Sequence, residues 1–222
     1  MLPLTAFLSK ITSRPQTVTL AIENPRIKPA LVKKIVAGLV DLGDITYFDY
    51  DLQFSSFLQN ISEDVYSEWI SRGPLVLQPG YDLYDFVEGF SSLSKVHKGG
   101  VFILDSINSL QTLLSGNNSP QTPKIANYKT SILLSVLQLV ARSYAKSFVV
   151  FDLTKLRPRI QTDQTVSWEK ELVGGRMIRY KSDSIYFVSE TKSTQSYPWS
   201  AKRIQLQGGD RKENPEIFSI DL

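Results

Sequence analysis

Four consecutive apolar residues, Val101-Phe102-Ile103-Leu104, follow Gly99-Gly100 and stop at Asp105-Ser106. A run with no polar face reads as a strand covered on both sides, as strands are in parallel sheets with helices on each face. The chain then passes directly into Ile107-Asn108-Ser109-Leu110. In open α/β sheets ligands gather at the carboxyl ends of strands, so Asp105 stands where the magnesium ion of a nucleotide would be held. The same two residues also suit a plainer task, because Asp and Ser both cap helices.

Composition narrows the chemistry. At 222 residues the chain is long enough for one α/β domain with a substantial core. Cysteine is absent and His97 is the only histidine. That removes disulfides, thiolate metal sites and thiol catalysis, and nearly excludes Ser-His-Asp chemistry. His97 lies in Lys95-Val96-His97-Lys98-Gly99-Gly100, which reads as a solvated turn. No apolar run approaches the roughly 20 residues of a membrane span. The N-terminus shows no basic stretch followed by an apolar one, so a cytoplasmic protein with no membrane association is expected.

Charge is unevenly distributed. Residues 41–94 hold ten acidic residues and one basic residue, Arg72, whereas the remainder holds 24 Lys or Arg against 12 acids. The asymmetry suggests an acidic surface and a basic one, suited to head-to-tail assembly or to nucleic acid.

Leu4, Phe7, Leu8 and Ile11 have helical spacing within residues 1–14. The β-rich run Thr17–Ile22 predicts a first central strand, followed by a loop over Glu23–Lys28 and a helix from Pro29 to about Leu42. Ile45–Asp49 and Pro74–Leu77 predict further strands, with helices near 53–58, 63–70 and 84–93. Ser115–Pro123 reads as a loop. A long helix over Asn127–Ala145 should bury Ile132, Val136, Leu139 and Val140, and Ser147–Phe151 forms another buried strand. Lys155–Leu172 reads as a long loop. Gly174-Gly175, Ile185–Val188, Lys202–Gln207 and Glu216–Ile220 suggest closing antiparallel strands. The alternation of strands and helices predicts one α/β domain over 1–222 with a mostly parallel sheet, and 1–14 packed on it.

Several local patterns, in the same order, resemble the RecA/RadA recombinase family over nearly the whole chain. Leu77-Gln78-Pro79 resembles a family strand ending in Gln-Pro, and Val101–Leu110 resembles its Walker B strand. Leu172-Val173-Gly174-Gly175-Arg176 resembles the turn after the second DNA-binding loop. Ser184–Val188, Lys202-Arg203-Ile204 and Ile217–Ile220 resemble the strands that close the core. The resemblance implies a RecA-like core.

It also exposes what is missing. A phosphate-binding loop needs glycines for unusual backbone angles, amides to wrap phosphates, a lysine and a magnesium-binding hydroxyl. The matching stretch Ile22-Glu23-Asn24-Pro25-Arg26-Ile27-Lys28-Pro29 keeps only Lys28. Ile22 and Ile27 replace the glycines, and β-branched residues scarcely tolerate positive φ. Pro25 and Pro29 have no N–H to donate. Asp51 stands near the family's catalytic Glu but is shorter, and Asp152 replaces the amide that usually ends the sensing strand. The degenerate nucleotide site is therefore Lys28, Asp51 and Asp105. No catalytic residue, cofactor or metal ligand is expected, although Asp51, Asp105 and Asp152 could gather at one sheet edge and bind a cation.

By resemblance, two stretches correspond to DNA-contacting loops, Leu114–Lys129 and Lys155–Leu172. The second, with the turn after it, offers Lys155, Arg157, Arg159, Trp168, Lys170 and Arg176. Cations meet phosphates and an aromatic ring stacks on an unpaired base. The alternative is a solvated loop with Trp168 folded back onto the core. Arg179 and Lys181 could extend the basic surface from one side of a strand, or meet a neighbouring subunit's acidic region. The resemblance implies a RadA paralog that has lost ATP hydrolysis and serves homologous recombination or DNA repair. Its expected partners are single-stranded DNA and a RadA-type recombinase or other RecA-fold protein, in a homo- or hetero-oligomer. The rival expectations are a structural pseudo-ATPase subunit of an Elongator-like assembly and a residual ATPase using Lys28, Asp51 and Asp105.

Overall fold

A computed structural model describes residues 2–40, 45–52, 75–77, 88, 91–92, 100–115, 123–160, 165–190, 203–210 and 216–221. The expected helices near 53–58 and 63–70, most of that near 84–93, and His97 lie outside the described residues.

The strands are β1 (Leu2–Pro3), β2 (Thr17–Ile22), β3 (Ile45–Asp49), β4 (Leu75–Leu77), β5 (Val101–Asp105), β6 (Ser147–Ile160), β7 (Val166–Leu172), β8 (Ser184–Glu190), β9 (Arg203–Asp210) and β10 (Glu216–Asp221). Their order across the sheet is β1-β10-β9-β8-β2-β6-β5-β3-β4, with β7 paired only to β6. From β8 to β4 every pairing is parallel. β9 runs antiparallel to both β8 and β10, as the closing segments predict. The protein is thus α/β, with a mostly parallel central sheet flanked by helices and antiparallel strands toward its C-terminal end.

Alternation along the strands divides the core. Val101 and Ile103 face one side with Val18, Leu20 and Val149, and there they meet α1 (Leu4–Thr12) and α2 (Lys28–Val40). Phe102 and Leu104 face the other side with Phe148 and Val150, under α3 (Ile107–Ser115), α4 (Pro123–Ser143) and α5 (Gly175–Lys181). Strands buried on both faces need apolar residues at every position, which is why β5 shows no alternation in its sequence. The expected N-terminal helix is α1. It buries Phe7, Leu8 and Ile11, and the Phe7 ring stands edge-on to Tyr186 and Phe218 with centroids 5.1 and 5.3 Å away.

Three sequence expectations need correction. The long helix begins at Pro123 and buries Leu133, Leu134, Leu137 and Ala141. Ile132 and Leu139 are exposed, and Val136 and Val140 are half-buried. The apolar residues of α4 cover more than one face, so either stripe satisfies a helical period. The expected loop over Lys155–Leu172 is instead the outer half of β6 and all of β7. The segment after Gly174-Gly175, including Arg179 and Lys181, is the helix α5 rather than a strand.

Candidate functional site

The carboxyl ends of β3 and β5 converge on the first turn of α2. Asn24 caps a 3₁₀ turn over Pro25–Ile27, its side-chain oxygen accepting the Arg26 N–H at 3.0 Å. That turn delivers Lys28 to the start of α2, where it is almost wholly buried. Its ammonium forms ion pairs with both Asp51 and Asp105. Tyr47, on β3, donates its hydroxyl to the second oxygen of Asp105. Ser109 on α3 donates to Asp51, as does Ser106 at 3.1 Å. The backbone N–H groups of Tyr50 and Asp51 donate to the Asp105 carbonyl at 2.7 and 3.2 Å. A buried ammonium needs opposing charge in such a dry setting, and the two carboxylates supply it.

The same carboxylates feel their surroundings differently. Burial pushes the Asp105 carboxyl up to about 6 against the opposing pull of Lys28 and Tyr47. At Asp51 burial also pushes upward, but hydrogen bonds from Lys28 and Ser109, the Lys28 charge and the Ser106 bond outweigh it. Asp51 therefore sits below the usual carboxylate range. Burial and the nearby carboxylates raise the Tyr47 phenol well above its ordinary value, so it stays protonated and donates. Lys28, Asp51 and Asp105 do come together, as the sequence suggested, but around one another. The ammonium lies between the carboxylates at the position a bound cation would need.

Asp152 stands apart, on β6. Its carboxylate accepts the Gly174 N–H at 3.1 Å and the Leu153 N–H at 2.9 Å. Burial raises it to about 7, partly offset by those two bonds and by Lys155. A Cβ on Gly174 would overlap the Ile178 side chain and press on Asp152. Asp152 thus ties the return of β7 to the sheet. Among the described residues no group of three acidic or histidine side chains is placed to hold a metal ion, so the three aspartates form no joint cation site.

The second feature is the ribbon that β6 and β7 make as they leave the sheet. Its register sets Lys155 opposite Glu171, Arg157 opposite Glu169, Pro158 opposite Trp168 and Ile160 opposite Val166. Because side chains alternate across a strand, the ribbon has two unlike faces. One carries Lys155, Arg157, Arg159, Ser167, Glu169 and Glu171. The other carries Leu156, Pro158, Ile160, Val166, Trp168 and Lys170. Trp168 is 63% exposed, so it does not fold back onto the core. Lys170 pairs with Glu23 at 2.5 Å.

On the charged face, Arg159 meets Glu169 at 2.7 Å, and Arg157 and Lys155 meet Glu171 at 3.4 and 3.8 Å. The cations of these pairs and Glu169 are exposed, and Glu171 is half-buried. Between this face and α5 lies an open cleft of about 590 Å³, lined by Arg157, Arg159, Arg176, Arg179, Glu169 and Glu171 among others. Arg176 and Arg179 are exposed and make no ion pair among the described residues. The cleft lining so far named carries four guanidinium groups against two carboxylates. Such a surface suits an anion with several charged oxygens, which guanidinium groups bind through paired N–H donors.

The structure brings together Arg157, Arg159, Lys170 and Arg176 of the predicted DNA-contacting residues as cleft lining, with Lys155 beside them on the charged face. Trp168 points to the opposite side of the ribbon. Arg179 joins the cleft because α5 turns it toward the same side as Arg176, one helical turn away. Glu169 and Glu171, as direct partners of the arginines, escaped the sequence reading. Their signal was the period-two alternation across residues 155–160 and 166–171, visible once the two segments are set antiparallel. Tyr47 and Ser109 carried no sequence signal beyond their place near strand ends. Comparison with protein-family models gave no match to this chain, and comparison with curated proteins gave none either. No helix among the described residues is long and apolar enough to cross a membrane.

Proposed function

We propose that this protein is a non-catalytic RecA-fold protein, a RadA paralog that acts as a binding accessory in homologous recombination or DNA repair. The observation that carries the reading is the arginine-lined cleft between the β6–β7 ribbon and α5. A single strand would lay its phosphates along Arg157, Arg159, Arg176 and Arg179. An unstacked base reaching over the ribbon would meet the exposed Trp168 ring on the far face. Loss of ATP hydrolysis fits the closed Lys28 cluster, since an ammonium held by two carboxylates is not offered to a phosphate. The protein partner would be a RadA-type recombinase or another RecA-fold chain. The exposed apolar side chains Leu156, Ile160 and Val166 favour a protein contact as well, in keeping with a scaffold subunit of a RecA-fold assembly.

The test is fluorescence anisotropy of a labelled single strand at several salt concentrations, with and without ATP. Binding should be ATP-independent and salt-sensitive. Arg176→Ala/Arg179→Ala should weaken it and flatten the dependence of log K on log salt, by roughly 0.7 for each phosphate that is no longer neutralised. Trp168→Ala should weaken binding by about 1–3 kcal/mol if a base stacks there, with the melting temperature unchanged. An absence of binding at low salt would end the DNA reading and leave the protein-partner reading in its place.

A further inference from the structure

The cleft's arginines are unequal, and the inequality has a chemical consequence. Arg176 and Arg179 on α5 make no ion pair among the described residues, whereas Arg157 and Arg159 on the ribbon are already engaged by Glu171 and Glu169. A ligand oxyanion that approaches the ribbon must take the place of a carboxylate and then remain beside its displaced charge. We propose that Glu169 and Glu171 are specificity-determining residues of the cleft, admitting a strand of linked phosphates and turning away isolated ones. The proposal rests on reading the cleft as the single-strand interface.

At each guanidinium the exchange trades one oxyanion for another, and the displaced carboxylate is left to water beside the new anion. Exposed ion pairs of this kind contribute little, so exchange is open to a competitor held nearby at high local concentration. A strand anchored at Arg176 and Arg179 presents its next phosphates to Arg157 and Arg159 in that way. A lone phosphate bound at α5 brings no second anion to the ribbon, and one arriving at the ribbon faces the carboxylates unaided. The carboxylates thus oppose every oxyanion at the ribbon, and most of all ligands that do not span the cleft. Both glutamates lie at ribbon positions with exposed or half-buried side chains, so their amides fit without rebuilding the fold.

The experiment uses the full chain, a fluorescein-labelled oligo-dT strand, and inorganic phosphate as competitor at matched ionic strength. Glu169→Gln/Glu171→Gln should bind the strand about fivefold more tightly, and phosphate should now displace the strand, as it does not from the unmodified protein. Glu88→Gln/Glu190→Gln changes the net charge equally outside the cleft lining and should leave both readouts as they were. Equal strand affinity and equal phosphate resistance in the Glu169/Glu171 variant would overturn the proposal while leaving the single-strand interface standing. The same gain in the Glu88/Glu190 variant would also overturn it, reducing the effect to bulk charge. No strand binding by any of the three proteins would overturn the interface and the proposal together.

Discussion

Lys28 and Arg159 each face carboxylates, yet they stand in opposite surroundings. Lys28 is buried at the head of α2 between Asp51 and Asp105, and the remaining carboxylate oxygens are met by Tyr47, Ser106 and Ser109. Arg159 meets Glu169 on a ribbon face open to water. Attraction between opposite charges is present in both. What differs is the state each would fall into when the pair opens. Opening the Lys28 cluster strands charges in a medium that solvates them poorly, whereas opening the ribbon pair hands both groups to water. Ion pairs of the first kind hold a fold together, and those of the second kind can be exchanged for a ligand.

The sharpest way to break that contrast is Lys28→Met. Removing one partner of a buried charge network leaves two carboxylates facing each other, and stability should fall by about 3–5 kcal/mol. Urea unfolding would read this as a lower midpoint at unchanged slope. Lys28→Met/Asp105→Leu should lose less than Lys28→Met alone, because the stranded charge goes too. A loss below about 1 kcal/mol for the single change would show the cluster to be as dispensable as a surface pair.

Acidity sharpens the comparison next. Asp105 and Asp152 are raised to about 6 and about 7, chiefly by burial. Between about pH 4 and 7 the folded protein holds protons that the unfolded chain has released. Stability should therefore fall as pH rises across that window, by at most about 1.4 kcal/mol per pH unit for each such proton, and level off above it. Asp51, held below the ordinary range, works in the opposite sense at lower pH. Asp152→Asn should remove the upper part of the slope, between about 6 and 7. Unfolding midpoints measured from pH 4 to 8 would check it, and an unchanged slope in the variant would place the titrating group elsewhere.

The two regions also differ in how much of them could be read from sequence. Strands such as Thr17–Ile22 and Val101–Asp105 announce themselves because burial on both faces selects β-branched and apolar residues along almost their whole length. Strand-end logic alone places Asp105, since parallel strands bring their carboxyl ends to one edge, and the grouping of Lys28 and Asp51 with it rests on the family resemblance. That the three would satisfy one another was not legible, because it depends on Tyr47 and Ser109 arriving at the right height. The ribbon hid for another reason. Both its faces are exposed, so the alternation runs between charged and apolar residues without any core to favour one, and a reading tuned to burial sees only a polar stretch. The stripe of α4 was misplaced because Ile132 and Leu139 are as apolar as the Leu133, Leu134 and Leu137 that pack inward.

The smallest expected effect tests the ribbon side of the contrast directly. Arg159 and Glu169 lie 2.7 Å apart with side chains 68% and 53% exposed. A double-mutant cycle of Arg159→Ala, Glu169→Ala and their combination should give a coupling of about 0.2–1 kcal/mol in unfolding free energy. Salt should reduce it further, since about 1 M shortens the screening length to roughly 3 Å. A coupling of this size leaves the arginine available to an oxyanion that arrives at high local concentration. A coupling above about 2 kcal/mol that resists salt would mean that the ribbon pair holds its strands together as the Lys28 cluster holds the sheet edge. The carboxylates would then be part of the fold, and a ligand could not take their place.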